Sequence, residues 1–456
     1  MQTCDHQPPS TDLPPASVGC AAAAPDRRAY SGLTAWAAVA FAVVLGFSRL
    51  SYGLLLPALR ADLHGSYGLF GLVGTVNLGG YLLGTLAIPF VVARSHDRVQ
   101  LNTRCLLAMS AAMVGSAASL DLVQLGAWRL LIGLFSAPAT VLTIALTLER
   151  VAPAERGRAA GMIWMGGAAG VVVSGLVAPL VVGTGAAPAW RAAWVAMGLL
   201  GLVATWGLRR GLRASSVAAV VAPVDVAENA RGRADLDAPG ESGRRGAARL
   251  HGIDARTTGQ GDVLPTLRRL LRPRGLLALT LAYLAFGCGY IIYFTFFIAL
   301  VVQQGVPALL VGLVWSALGL VGAVGGLLWG RAIDRWPSGF TLAVALALGA
   351  LGALGIGGLA LDGAGALLMG LCFIGTPTMV TALLQRAVPA ARYTASLSVV
   401  TVAFALGQMI GPSIGGVVVD AHGLALGTAS AAALLAIAAL LAVGYGLVQR
   451  RQRRQT

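Results

Sequence analysis

The chain has 456 residues, 57% of them hydrophobic and only 11% charged, with a mean hydropathy of +0.78 and a formal net charge of +15. That balance excludes an ordinary water-soluble domain, in which charged residues are about a quarter of the total, and points to a polytopic membrane protein. Cysteine usage excludes a disulfide scaffold. Cys4, Cys20, Cys105, Cys288 and Cys372 show no paired spacing, and free thiols are expected.

Residues 1–32 are rich in Pro, Ala and Ser and lack the basic-then-apolar order of a cleaved signal. They read as a disordered cytoplasmic tail, with the first membrane helix acting as the insertion signal. Six apolar runs follow, at about 33–58, 68–93, 101–120, 122–147, 160–183 and 190–208. Residues 209–274, with thirteen Arg, break the pattern and read as a largely disordered cytoplasmic linker. Its end, Leu264 to Arg274, is either a short helix lying on anionic headgroups or plain charged linker. Six more runs occupy about 275–301, 308–330, 340–360, 363–385, 395–419 and 424–448, before a basic tail at 450–456.

A hydrocarbon core about 30 Å thick needs roughly 20 apolar residues per helix. The runs are continuous rather than alternating, which argues for helices and against a barrel. The expected fold is therefore all-α: twelve transmembrane helices in two parallel six-helix bundles, 33–208 and 275–449. The sixty-one glycines suit close helix contacts in lipid.

All 33 basic residues are Arg. Arg49 and Arg129 fall inside runs, Arg60 and Arg191 lie on one side, and the other twenty-nine lie on the opposite side. The positive-inside rule then places both termini in the cytoplasm, and a bacterial inner membrane is the expected location. The sequence offers no base-reading groups for nucleic acid. His6, His64, His96, His251 and His422 sit in tails or loops, so neither a metal nor a cofactor is implied.

The halves repeat. Leu148-Glu149-Arg150-Val151-Ala152-Pro153-Ala154-Glu155-Arg156 is matched 236 residues later by Leu384-Gln385-Arg386-Ala387-Val388-Pro389-Ala390-Ala391-Arg392. Ala93-x-x-x-Asp97-Arg98 is matched 237 residues later by Gly330-x-x-x-Asp334-Arg335. Duplication of a six-helix unit keeps the halves parallel, an architecture whose site lies near the midplane between them.

With these features the chain resembles the major facilitator superfamily over about residues 33–449. Gly330-Arg331-Ala332-Ile333-Asp334-Arg335 is similar to the family's G-x-x-x-D-R loop, and the first copy departs from it at Ala93. Trp128-Arg129-Leu130-Leu131-Ile132-Gly133 is similar to the fourth-helix R-x-x-x-G signature. Gly407, Gly411, Pro412, Gly415 and Gly416 fit G-x-x-x-G-P-x-x-G-G in the eleventh run. The fifth-run copy looks degraded, with Gly170, Gly175 and Pro179 left. The resemblance implies a cytoplasmic latch formed by Asp97, Arg98, Gly330, Asp334 and Arg335 that steadies an outward-open form; the alternative is surface charges that only set topology. For the glycine-rich run the choice is between gating and plain packing.

Arg49 and Arg129 carry the sharpest chemistry. A buried Arg is costly unless paired or facing water, and it keeps its charge. Its planar fork suits a carboxylate, phosphate or sulfonate. One reading makes the two an anion-binding pair; the others are pairing with helix carbonyls as structural glue, and snorkelling, which their distance from helix ends disfavours. In the family the fourth-helix Arg is often tied to proton coupling. Tyr52, Asn77, Tyr290, Tyr293 and Gln408 complete the expected substrate site, with Tyr81 and Tyr283 as further candidates. Any one Tyr also fits as core packing or an interface anchor. No Asp or Glu is expected deep in a run, with Asp121, Asp362 and Asp420 at outer ends.

No phosphate-binding loop is present, so ATP is not the direct energy source. Clustered catalytic side chains are missing from the runs, which argues against an enzyme. The expected function is secondary transport of a small organic anion by alternating access, with or without a coupling proton, by a monomer in the bilayer. Efflux of hydrophobic or drug-like compounds is the alternative, and a non-transporting membrane sensor a remote one.

Overall fold

The computed structural model describes residues 27–152, 155–182, 189–221, 276–354 and 359–454. Expectations for residues 1–26, for the linker from 222 to 275 with its Leu264–Arg274 end, and for Cys4, Cys20, His6 and His251 lie outside the described residues.

Among the described residues every regular element is a helix. The first rod is α1 (Arg27–Phe41), a π-helical segment (Ala42–Leu50) and α2 (Ser51–Leu63) end to end. Then come α3 (Tyr67–Arg94), α4 (Arg98–Ser116), α5 (Leu122–Arg150), α6 (Arg156–Val182) and α7 (Ala189–Val221). The second half holds α8 (Leu276–Gln303), α9 (Ala308–Arg335), α10 (Gly339–Gly352), α11 (Leu359–Ala387), α12 (Ala390–His422) and α13 (Leu424–Arg453).

Ten of these rods are long and apolar enough to cross a membrane. The other two are α4, where Gln100, Asn102 and Arg104 dilute the apolar pattern, and α10, with 14 residues. Helices overrun the expected bundle edges: α1 starts before 33, α7 continues past 208 and α13 past 449. In α7 and α13 the apolar pattern stops, but Ala, Leu and Arg still favour helix.

Local chemistry fixes several rod starts. Ser66, Asp97, Asp121 and Ser338 each accept a hydrogen bond from a backbone N–H in the next turn. Gly423, at φ 85°, both ends α12 and begins α13, so one residue reverses the chain.

The rods form two halves with matching packing. In each, the second rod lies on the fourth, and the first on the fifth: α3 on α5 and α1 on α6, then α9 on α11 and α8 on α12. Between halves, α3 meets α12, α6 meets α9, and α2 meets α8. One side of the bundle carries both described chain ends and the two edges of the linker; we call it the termini face and its opposite the far face.

The eleventh-run glycines serve both kinds of contact. A side chain at Gly407 would strike the Leu284 carbonyl, Gly411 lies against Cys288 and Ile291, and Gly415 against Ile292, all on α8. Gly416 lies against Tyr67 and Gly68, across the halves on α3. The fifth run does the same with Gly166 on Ala38 of α1, Gly170 on Ala42 of the π-helical segment, and Gly175 on Gly312 and Ser316 of α9. The two sets share spacing, 166-170-175 and 407-411-416. The fifth-run copy is thus better kept than its Gly170, Gly175 and Pro179 suggest.

Among the described residues, hydrogen bonds between the halves run from the middle of the bundle to the far face. Thr75 and Ser413 hydroxyls meet at 2.7 Å, Trp315 Nε1 donates to Ser174 Oγ at 3.2 Å, and Ser316 Oγ donates to the Val172 carbonyl at 2.9 Å. Gly53 is seated so tightly that a Cβ there would collide with the Phe294 carbonyl. On the termini face, charge pairs among the described residues stay within each half. Arg98 spans both oxygens of Glu149 (2.8 and 3.3 Å), and Arg386 reaches Asp334 at 3.4 Å. Asp97 caps its own helix, Arg335 lies over Trp336, and Gly330 faces open space.

Candidate substrate site

The site grows from the π-helical segment. There the backbone closes bonds five residues back, as the Ser51 N–H does to the Gly46 carbonyl. Ser48 Oγ donates to the Val44 carbonyl at 2.6 Å and Ser51 Oγ to the Gly46 carbonyl at 3.0 Å. The Ser48 carbonyl belongs to this segment, and Arg49 is the next residue in it.

Two clusters diverge from this point. Arg129 is 1% exposed and sits wholly within the first half. Its Nη1 donates to the Ser48 carbonyl at 2.8 Å and its Nη2 to Asn77 Oδ1 at 3.2 Å, while Asn77 Nδ2 donates to the Arg129 carbonyl at 2.7 Å. The guanidinium lies over the rings of Tyr52 (4.6 Å) and Trp194 (5.4 Å). Tyr52 is anchored in turn, its hydroxyl donating to the Phe70 carbonyl at 2.7 Å. Arg129 Nε and Trp194 Nε1 have no hydrogen-bond partner. This is the carbonyl-bound geometry weighed above as structural glue.

Arg49 is half-buried and points the other way. Its Nη2 donates to Gln408 Oε1 at 2.8 Å across the halves, and its guanidinium lies 4.2 Å from the centre of the Tyr81 ring. Gln408 Nε2 donates onward to the Tyr290 hydroxyl. A continuous polar relay therefore joins α12 and α8 to the first rod.

Beside the relay stands an aromatic wall. Tyr283 and Phe404 stack at 4.3 Å and 6°, Phe286 and Tyr290 at 5.1 Å and 20°, and Phe373 tilts onto Tyr290 at 5.3 Å. Phe404 and Phe373 keep part of their surface free. Phe286, Phe373 and Phe404 were not singled out from the sequence, because an aromatic in an apolar run carries the same signal as core.

Tyr293 stands apart. It stacks on Phe297 at 4.5 Å, and its buried hydroxyl has no partner. Asp362 lies in the first turn of α11, at the expected outer end; it is 4% exposed and accepts from Gln304 Nε2 at 2.7 Å. A cleft between the first rod, α6 and α7, lined by residues such as Phe47, Leu54, Val173 and Met197, includes none of the predicted site residues.

The sequence profile of the Major Facilitator Superfamily matches residues 38–396. The chain belongs to this superfamily. Its transporter fold also aligns with solved superfamily structures. A bacterial homolog of the human lysosomal transporter Spinster, inward-facing and unoccupied, aligns at TM-score 0.68 and 14% identity, covering 93% of this chain and 98% of that one. The nucleoside transporter NupG aligns at 0.68 and 12% identity, covering 91% and 98%. A D-xylose–proton symporter aligns at 0.65 and 15%, covering 90% and 97%. At such identities only the fold is shared. Comparison with curated proteins returns no match. Superfamily membership makes the chain an integral membrane transporter.

Proposed function

We propose that the protein is a secondary transporter that moves a small organic anion by alternating access, with Arg49 as the anion-binding group. The observation that carries this is the state of Arg49. It is a permanent cation at mid-membrane depth whose hydrogen-bond acceptor is a neutral amide, Gln408. Among the described residues the ion pairs lie elsewhere, at Arg98, Arg191 and Arg386. A carboxylate, phosphate or sulfonate entering beside Arg49 replaces a neutral acceptor with a charged one, a hydrogen bond roughly twice as strong.

In this reading Gln408 and Tyr290 form the second-half arm, Tyr81 backs the cation, and the aromatic wall covers the substrate's apolar body. Arg129, Asn77 and Tyr52 hold the Ser48 carbonyl and hence the first rod in place; Tyr293 is left out. The termini face is cytoplasmic and the membrane is the bacterial inner membrane, from the Arg distribution. Asp97, Arg98, Gly330, Asp334 and Arg335 form the latch of the conformer closed on that face, and a monomer suffices.

The test is thermal stability of the purified protein against organic anions, organic cations and neutral amphiphiles. A ligand that binds the folded state raises the melting temperature by mass action. We expect an anion to do so in the wild type and to have no effect on a folded Arg49→Ala variant. The aromatic wall favours a second reading, efflux of hydrophobic compounds. A shift with cations or neutral amphiphiles alone, unchanged in Arg49→Ala, would establish that reading instead.

A further inference from the structure

The start of α3 poses an accounting problem. The first backbone N–H groups of a helix have no partner inside it. Here the Leu69 N–H is taken by Ser66 Oγ at 3.2 Å, and the Phe70 N–H by the Ser66 carbonyl at 3.2 Å. Those two partners come from the same half. The Tyr67 and Gly68 N–H groups instead reach the other half, donating to Asp420 Oδ1 at 2.8 Å and Asp420 Oδ2 at 2.7 Å. Asp420 lies in the last turns of α12, so the cap of one half's helix is completed by a carboxylate of the other.

The surroundings are shaped for this contact. Gly416, one turn before Asp420, lies against Tyr67 and Gly68, and the Pro412 carbonyl occupies the space a side chain at Gly71 would need. A Cβ at Gly68 would stand 2.7 Å from Asp420 Oδ2. The negative charge also faces the positive end of the α3 dipole. Arg60 lies over the Tyr67 ring at 4.2 Å and donates to the Gly65 carbonyl, holding the preceding turn.

We infer that Asp420 is a far-face lock: its carboxylate caps α3 while the far face is closed and must give the Tyr67 and Gly68 N–H groups to water when that face opens. The inference rests on the alternating-access reading, because the contact biases an equilibrium only if the two conformers differ in it. Losing a cap of this kind costs about 1 kcal/mol, so the ratio of far-face-open to far-face-closed molecules should rise roughly fivefold.

Spin-label distance measurements in lipid nanodiscs test it, on full-length protein with its five cysteines replaced by alanine. One pair, L120C with L426C, sits at exposed far-face positions of the two halves. A second, H96C with W336C, reports the termini face. Asp420→Ala and Asp420→Asn remove the charge. Gly68→Ala leaves the carboxylate in place but fills its seat, and by helix propensity it does not weaken α3. We expect the far-face pair to gain long distances in Asp420→Ala and Gly68→Ala as the termini-face pair gains short ones, with Asp420→Asn between them and the wild type. Exchange in the wild type that both variants leave within twofold would overturn the lock while sparing alternating access. One unchanging distribution in every protein on both faces would overturn alternating access, and the lock with it.

Discussion

Replacing Arg129 separates a structural cation from a binding one. Arg129→Ala strips the donors from two buried acceptors, the Ser48 carbonyl and Asn77 Oδ1. Each orphaned buried acceptor costs about 1–3 kcal/mol, giving about 2–6 kcal/mol together. At roughly 2 °C per kcal/mol, the low end for large domains, the melting temperature should fall by about 4–12 °C. Arg49→Ala, on a half-buried side chain with one hydrogen bond to Gln408, should cost only about 2–4 °C. Arg129→Lys should fall between, because one ammonium cannot span the two acceptors as the guanidinium fork does. A cycle with Asn77→Ala should return a coupling of about 0.5–3 kcal/mol for the Arg129–Asn77 pair. The assay is detergent thermal unfolding at a fixed scan rate, for every variant in one lipid background. An Arg129→Ala protein melting within about 2 °C of wild type, or less perturbed than Arg49→Ala, would refute the reasoning.

Three further outcomes follow from the same geometry. Gln408→Glu places a carboxylate where Arg49 already donates, so anion-induced thermal shifts should vanish while the unliganded melting temperature holds or rises; isothermal titration checks the loss of binding. Gly53→Ala drives a Cβ into the Phe294 carbonyl at the α2–α8 seam and should part the far face, read as longer spin-label distances between L120C and L426C. Asp62 accepts from Trp190 Nε1 at 2.9 Å and Arg191 Nη2 at 3.1 Å, and Arg191 also ties the carbonyls of Ala117 and Ser119. Asp62→Ala should therefore lower stability by about 1–3 kcal/mol, visible in thermal unfolding, with anion binding intact.

The helical architecture and the duplication were readable because hydropathy and loop motifs are local signals. Arg49, Gln408 and Tyr290 were each singled out as polar residues in apolar runs. Their relay was not readable, since Arg49 and Gln408 are 359 residues apart and nothing local pairs them. The division of labour between Arg49 and Arg129 was hidden for a different reason. It depends on Arg129 reaching the Ser48 carbonyl while Arg49 reaches Gln408, contacts between rods that leave no mark in the hydropathy of Ala42–Leu50. Tyr290 and Tyr293, three residues apart on one helix, carried equal weight in the sequence. Packing sends one to Gln408 and the other to Phe297. The matching 166-170-175 spacing in the fifth run was present in the sequence, but Val171 and Ser174 stand where the motif has Pro and Gly, so its signal is weak.

The π-helical segment also acts as a phase shifter in the first rod. An α-helix advances about 100° per residue, and a wider winding falls behind by part of a residue with every turn. The two ends of one continuous rod thus address different neighbours: α1 lies on α6 and α7 of its own half, whereas α2 is turned to meet α8 of the other. Changing the length of Ala42–Leu50 without a compensating change in its winding would turn α2 about its axis and carry Gly53 off the Phe294 carbonyl without altering any side chain at the seam. The clocking of this rod is therefore written in its length, and chain length in that segment is a tighter constraint than the identity of most of its side chains.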